Sequence, residues 1–352
     1  MSLEDLLIAR VSETGPMTVA DYMVECLLHP RHGYYTTRDP LGIAGDFTTA
    51  PEISQMFGEL IGLTLAQAWI DQGAPRFTLA ELGPGRGTLM ADILRATRAV
   101  PGFHDAATIT LVEASPVLRD RQAETLADFA PTWLDSAADL PDAPLFVVAN
   151  EFFDALPIRQ FLRDGGTWRE RQVGVTDGAL AFGLGGPTDQ PTLAPWSDTP
   201  DGTLIELRPA AAAVMAEIAP RIDTHGGAAL VVDYGTWGEP GDTFQAVRGH
   251  EKVAPLDTPG SADLTAHVDF RALAQSAPGL AASALTPQGV FLERLGITAR
   301  AQALASKLSG DPLAQHIVAH RRLTHPEEMG DLFKVLGLTA PGAPMLPGLS
   351  QT

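Results

Sequence analysis

Apolar residues change their spacing repeatedly along residues 77–150, and each change predicts a boundary between elements. Phe77-Thr78-Leu79-Ala80 is a short apolar run suited to a buried strand. Glu81-Leu82-Gly83-Pro84-Gly85-Arg86-Gly87-Thr88 follows, and then Leu89, Met90, Ile93 and Leu94 recur at helical spacing. Ala107–Val112, closed by Glu113, and the run 145–150 are further apolar segments separated by helical stretches. This alternation predicts an α/β fold with a mostly parallel, doubly wound sheet, its strands near 77–82, 108–113 and 145–150. Ala228-Ala229-Leu230-Val231-Val232-Asp233 continues the sheet after an interruption at 164–225. A β-hairpin at 168–183 and Gly-Gly-Pro-Thr-Asp-Gln-Pro at 185–191 mark that interruption as an accessory layer. Residues 1–75 read as mostly helical, with loops at 29–35 and 42–51 and helical spacing from Ile53 through Trp69. A loop-rich stretch to about 265 and helices near 267–276, 298–309, 312–322 and 326–333 complete the chain, with a Pro- and Gly-rich tail from Ala340 expected to be flexible. The expected organisation is a helical lid at 1–75, a core at 76–163 and 226–352, and an insertion at 164–225 bordering a substrate cleft.

Composition narrows the setting. The 352 residues are 45% hydrophobic, ample for a core, yet no apolar run reaches the length of a membrane span. The formal net charge of −19 argues against nucleic acid and anionic membranes as partners. It suits a basic partner such as an arginine-bearing polypeptide, or serves solubility alone. Cys26 is the only cysteine, and the acidic start Met1-Ser2-Leu3-Glu4-Asp5 lacks a basic leader, so a cytoplasmic location is expected.

The strand, glycine turn and helix at 77–94 form the layout that brings backbone amides to a bound cofactor. Gly83, Gly85 and Gly87 keep side chains out of the ligand's space, with Pro84 between the first two. Glu113 stands where a ribose diol would be gripped. A dinucleotide site prefers G-x-G-x-x-G, whereas Thr88 occupies the third glycine position here. Glu81 would repel a pyrophosphate but suits an α-amino group and a sulfonium, so the turn looks like motif I of class I S-adenosylmethionine methyltransferases. Asn150-Glu151-Phe152-Phe153-Asp154 ends the neighbouring strand, beyond which ligands of open α/β sheets bind. Asn150 is placed for the cofactor's amino-acid moiety, Glu151 and Asp154 for an acceptor, and Phe152 and Phe153 for the walls of a slot. The alternative for Glu151 is a helix-start acid answering the macrodipole.

Asp135 and Ser136 occupy the usual place of the adenine, with Trp133 beside them or in the core. Tyr34, Tyr35, Thr48, Thr49 and Pro51 form either a cofactor lid or a packing loop. His316 and His320 lack the acid of H-E-x-x-H, so no metal is expected; His267 beside Asp269 reads as a general base or as a helix start.

Phe47–Glu59, Glu81–Gly87, Asn150–Pro157, Asp233-Tyr234-Gly235, Gln288–Leu292 and Met329–Leu336 together resemble the MidA/NDUFAF-type S-adenosylmethionine-dependent methyltransferases, in order over nearly the whole chain. The resemblance implies a class I, Rossmann-like, seven-stranded fold and a protein-arginine methyltransferase acting on the 49-kDa-type subunit of respiratory complex I during assembly. Symmetric ω-N dimethylarginine is the mark implied by the mitochondrial members, and a homodimer is consistent with the group. Glu206, in Leu204-Ile205-Glu206-Leu207-Arg208-Pro209, also matches the pattern and by analogy with paired-glutamate enzymes would complete a guanidinium clamp; capping of the following helix explains it as well. A cofactor-binding assembly chaperone with little catalysis, and a nicotinamide-dependent oxidoreductase, are the competing readings.

Overall fold

A computed structural model describes residues 1–37 and 48–351. Helices α1 (Leu3–Thr14), α2 (Val19–Leu28) and α3 (Gln55–Asp71) come first. The alternating part runs through β1 (Phe77–Leu82), α4 (Thr88–Thr97), β2 (Ala107–Val112), α5 (Pro116–Thr125), β3 (Thr132–Leu134) and β4 (Leu145–Asn150). Strands β5 (Arg159–Asp164), β6 (Thr167–Thr176), β7 (Ala179–Thr188) and β8 (Leu204–Leu207) lead to α6 (Pro209–His225) and β9 (Gly227–Thr236). Near the end lie β10 (Ala281–Ala282) and β11 (Phe333–Thr339).

The main sheet has nine strands in the order β10-β11-β9-β4-β1-β2-β3, with Val268–Asp269 paired to β9 and Thr286–Pro287 to β11. From β9 to β3 every pairing is parallel, and the pairs Leu82↔Ala149 and Leu82↔Val112 bring three strand ends to one edge. β11 runs antiparallel to both β9 and β10, so the sheet is mixed: parallel from β9 to β3, with an antiparallel flank at β11. The helix expected at 326–333 is present as a single π-helical turn at Pro326–Gly330 that runs on through residue 332, but β11, which follows at once and is buried along almost its whole length, was not expected. A continuous apolar run fits either a buried strand or a buried helix, and here the open edge of β9 decides the outcome. The expected flexible tail is also packed. Leu346 is fully buried, Gly337 faces Leu346 and Leu349, and Gln351 bridges to Ser283.

The accessory layer is a five-stranded antiparallel sheet, Met17–Thr18, β6, β5 and β8 in order, with β7 paired to β6. Asp177-Gly178, both at positive φ (52° and 82°), make the hairpin turn whose twist suits flanking strands. Apart from Met17–Thr18, the strands of this sheet run from Arg159 to Leu207, while α6 packs Ala211, Met215 and Ile218 on the main sheet. The 164–225 boundaries therefore do not coincide with the layers. Residues 1–75 divide too: α1 and α2 pack with Ile158, Val173 and Leu264, but α3 packs on the main sheet. The stretch expected to be loop-rich holds a small sheet of 245–248, 251–253 and 263–265.

The core face under α3 is organised around aromatics. Phe103 lies 5.3 Å from Trp69 and 5.0 Å from Phe77, and Phe77 lies 5.2 Å from Phe146. Phe103 is fully buried, so truncation leaves a cavity that the surrounding rings cannot fill. Phe103→Ala should lower stability by about 3–5 kcal/mol in chemical denaturation; a change within experimental error would show that this cluster is not part of the cooperative core.

Candidate functional site

The turn after β1 uses its glycines in a backbone region that side chains rarely adopt: φ is 61° at Gly83, 53° at Gly85 and 81° at Gly87. A Cβ on Gly83 would lie 2.8 Å from Cδ2 of Phe152. The bend thus leads into α4 with its backbone uncovered, beside a cavity of about 340 Å³. Glu81, Gly83, Pro84, Gly85, Glu113 and Asp135 line it, together with Asn150, Glu151 and Thr49. Gly87 and Thr48 do not reach its wall; Gly87 ends the turn as the residue before α4.

The electrostatics of this cavity are unusual. Glu81 is buried, and burial pushes its carboxyl up to about 8, although the Met90 backbone amide hydrogen-bonds to it. Its Oε2, like Oδ1 of Asn150, is buried with no hydrogen-bond partner. Two acceptors without donors, facing a side-chain-free bend, fit a cationic amino-acid moiety, which would supply the missing donors. Glu113 is raised by burial while its Oε1 accepts the Ser115 N–H at 2.8 Å and its Oε2 accepts Gln122 Nε2 at 3.2 Å. Gln122 also donates to the Gly85 carbonyl at 2.7 Å and accepts Trp133 Nε1 at 2.8 Å. Gln122 therefore ties the glycine bend to the second acid. No local sequence pattern signals it, because its partners lie on other elements. Asp135 is mostly exposed and pairs with Arg119 at 2.5 Å.

Beyond β4 the chain turns sharply at Glu151, which has φ of 51° despite its side chain. Its Oε1 accepts from the Ala50 N–H and from Asn150 Nδ2, both at 3.1 Å, and burial pushes the carboxyl up to about 7. Phe152 lies on the cavity wall, but Phe153 points into the core and not into the slot. Asp154 is buried behind that wall, beside Tyr234 and Arg208, and does not line the cavity. Burial is the main reason that both Asp154 and its neighbour Asp233 titrate above the usual carboxylate range.

Glu206 is not brought into this cavity. It lines a second one of about 240 Å³ with Trp196, Thr243 and His267, and its carboxylate is taken up by Gln160 Nε2 at 2.8 Å, by Thr243 N–H at 3.1 Å and by the Thr243 hydroxyl. A carboxylate already saturated in this way has little left for a guanidinium. His267 shares this second cavity, and burial lowers its pKa. His316 bonds the Ala301 carbonyl at 3.0 Å and His320 contacts Thr298 at 3.1 Å, joining helices. No cluster of three or more potential metal ligands occurs among the described residues.

Tyr34 is fully buried with α1 and α2, whereas Tyr35 lines the first cavity and donates its hydroxyl to Asp263 at 2.8 Å. Thr49 and Pro51 reach the cavity through the short helix Ala50–Ile53; residues 42–47 of the expected lid lie outside the described residues. Sequence reasoning gave no role to Glu52, which lines the cavity and accepts the Thr88 hydroxyl at 2.5 Å.

A parallel sheet edge with a bare glycine bend and buried, unsatisfied acceptors defines an α/β methyltransferase. The family model of S-adenosyl-L-methionine-dependent methyltransferases matches residues 60–288. The chain belongs to that family, and S-adenosylmethionine is its cofactor. It is 39% identical to the protein arginine methyltransferase NDUFAF7 of Xenopus laevis, covering 93% of this chain and 82% of that protein. With the NDUFAF7 of Homo sapiens identity is 37% over 94% of this chain and 82% of the relative. The structure of a COG1565 superfamily member from Burkholderia thailandensis, solved with S-adenosyl-homocysteine bound, superposes with a TM-score of 0.84 at 29% identity, covering 98% of this chain and 93% of that one. Both NDUFAF7 relatives are named as mitochondrial, which overturns the cytoplasmic expectation. A single cysteine rules out a disulfide within the chain and does not identify a compartment.

Glu81 supplies a test of the site's electrostatics. Its folded-state value of about 8 exceeds the ordinary 4.5, so the folded protein keeps a proton that the unfolded chain has lost. That contribution to stability is complete below about 4.5 and disappears as pH rises through about 8. Glu81→Gln should flatten the fall in Tm of the free protein across this window and weaken S-adenosylmethionine binding in calorimetry. An unchanged slope together with unchanged affinity would remove Glu81 from the site.

Proposed function

We propose that this methyltransferase acts on an arginine side chain of a polypeptide, with Glu151 as the carboxylate that holds the guanidinium. The observation that carries this reading is the position of Glu151: a half-buried carboxylate on the cavity wall beside the glycine bend, held in a left-handed turn. The NDUFAF7 relatives' name, protein arginine methyltransferase, supports the same acceptor. In this reading Glu81, Asn150 and the bend at 83–87 hold the cofactor, Glu113 takes its ribose, and Asp135 and Thr49 close its flanks. When bound, S-adenosylmethionine supplies an activated methyl group on a sulfonium.

The chain's own residues must make an arginine nitrogen available. Arginine is protonated in water, with a pKa of about 12.5–13.8. A carboxylate bonded to two of its nitrogens keeps the charge on them and leaves the third nitrogen facing the donor. Glu151 is suited to this only as a carboxylate. Asp154 raises its pKa, with burial the larger cause, so ionisation of Glu151 is coupled to the arrival of a cation. Phe152 and the apolar Leu156 and Pro157 keep water from the reacting nitrogen. Asp154 acts from behind the wall and Glu206 at the second cavity, where it bears on the polypeptide rather than on the reacting guanidinium.

The resemblance to MidA/NDUFAF-type enzymes directs the choice of substrate to the 49-kDa-type subunit of complex I, and the product to symmetric dimethylarginine. It also supports two further expectations: the path β10-β11-β9-β4-β1-β2-β3 as the seven-stranded class I arrangement, and a homodimer, readable by light scattering.

Because the carboxylate form of Glu151 is the active one and its pKa is about 7, kcat/KM should rise as pH increases through about 7 and then level off. Glu151→Gln should abolish this limb and lower turnover by about 100-fold, with cofactor affinity retained. The assay is transfer of labelled methyl groups from S-adenosylmethionine to purified complex I subunit, with amino-acid analysis of the product. Transfer to a residue other than arginine, or a Glu151→Gln enzyme of full activity, would overturn the proposal.

A further inference from the structure

We propose that Asp233 is a positioning residue for methyl transfer: its carboxylate clamps the backbone amides of Phe153 and Asp154 and so holds Glu151 in its left-handed conformation. This rests on the reading of Glu151 as the acceptor-binding carboxylate. Asp233 is fully buried near the end of β9, and the residue before it, Val232, accepts the Glu151 N–H at 2.9 Å. Oδ2 of Asp233 accepts the Phe153 N–H at 3.0 Å and the Asp154 N–H at 3.2 Å, and Oδ1 accepts the Tyr234 N–H at 2.9 Å. Three anchors, at 151, 153 and 154, thus fasten the turn to the neighbouring strand.

The turn needs fastening. Glu151 occupies a backbone region that a residue with a Cβ adopts only when its surroundings impose it. On the opposite side, Phe152 sits against Gly83, so displacement of the turn would move the ring on the glycine bend and Glu151 together. The guanidinium of Arg208 closes the cluster from below. It donates to the carbonyls of Ala266 at 2.8 Å, His267 at 3.1 Å, Leu156 at 3.2 Å and Asp154 at 3.4 Å, so it holds the turn by its oxygens while Asp233 holds its amides. An asparagine at 233 has the same shape but one acceptor oxygen; with that oxygen on Phe153 and Asp154, its amide group opposes the Tyr234 N–H.

The test uses full-length Asp233→Asn. Its kcat on the polypeptide substrate should fall by about 100-fold, the loss expected from a small misplacement of a reacting geometry, while its affinity for S-adenosylhomocysteine in calorimetry stays near that of the native protein. Hydrogen exchange should accelerate at the peptide covering 151–154 and remain unchanged at 83–87. Full activity in the variant, or parallel loss of turnover and cofactor affinity, overturns the proposal. Should the variant fail to fold, exchange in the native protein decides: Phe153 and Asp154 amides protected like those of β4 support the clamp, and exchange at loop-like rates refutes it. Absence of transfer by the native enzyme would count against the arginine reading alone, because the exchange and affinity measurements still report on Asp233.

Discussion

The constraint on which this structure depends is the withdrawal of carboxylates from water along one edge of the main sheet. Glu81, Glu151, Asp154 and Asp233 stand at or beyond the ends of β1, β4 and β9, all titrating upward chiefly because of burial. An isolated buried charge is too costly to persist, so such groups either keep a proton or find a cation. Arg208 is the buried cation nearest this group, and its own pKa is depressed by burial. The edge is electrostatically incomplete in the free protein, and a sulfonium donor followed by a guanidinium would complete it.

The surrounding layers can be understood as the means of keeping water away from that edge. Helix α2 supplies Val24 and Leu28 to the cavity, and both remain markedly exposed. α1 and α2 bury their other faces on the accessory sheet, which in turn meets the main sheet through β8 and the start of α6. The carboxylate of Glu151 is itself stitched to the N-terminal segment through the Ala50 amide. Catalytic groups, cover and scaffold are therefore not separable modules. This explains why residues 1–75 divide between two cores rather than forming a unit.

Much of the parallel core was legible in the sequence. β1, β2, β4 and β9 are apolar along most of their length, with glycine or an acid just after or near the end, and parallel strands covered on both faces have that apolar signature. The glycine bend and the Asn150-Glu151 turn were legible for the same reason, since polar residues at strand ends have few purely structural explanations. β11 was not legible, because its partner is nearly a hundred residues away and its apolar run fits a helix equally well. Glu206 and Phe153 were misjudged for a related reason. Glu206 was placed by analogy, yet the antiparallel pairing of β8 with β5 sets it beside Gln160, while Phe153, beyond the end of β4, turns into the core. Gln122 escaped notice because a lone glutamine on a polar helix carries no pattern at all.

β11 also has a consequence for biosynthesis. It occupies an interior position in the sheet, between β9 and β10, and closes one flank of a hydrophobic layer assembled from residues far upstream. While the ribosome is still making residues 333–339, β9 has an open rim of unpaired amides and carbonyls. The nascent polypeptide therefore passes through a long interval in which its largest element is complete except for one inner slat, a state prone to pairing with other chains.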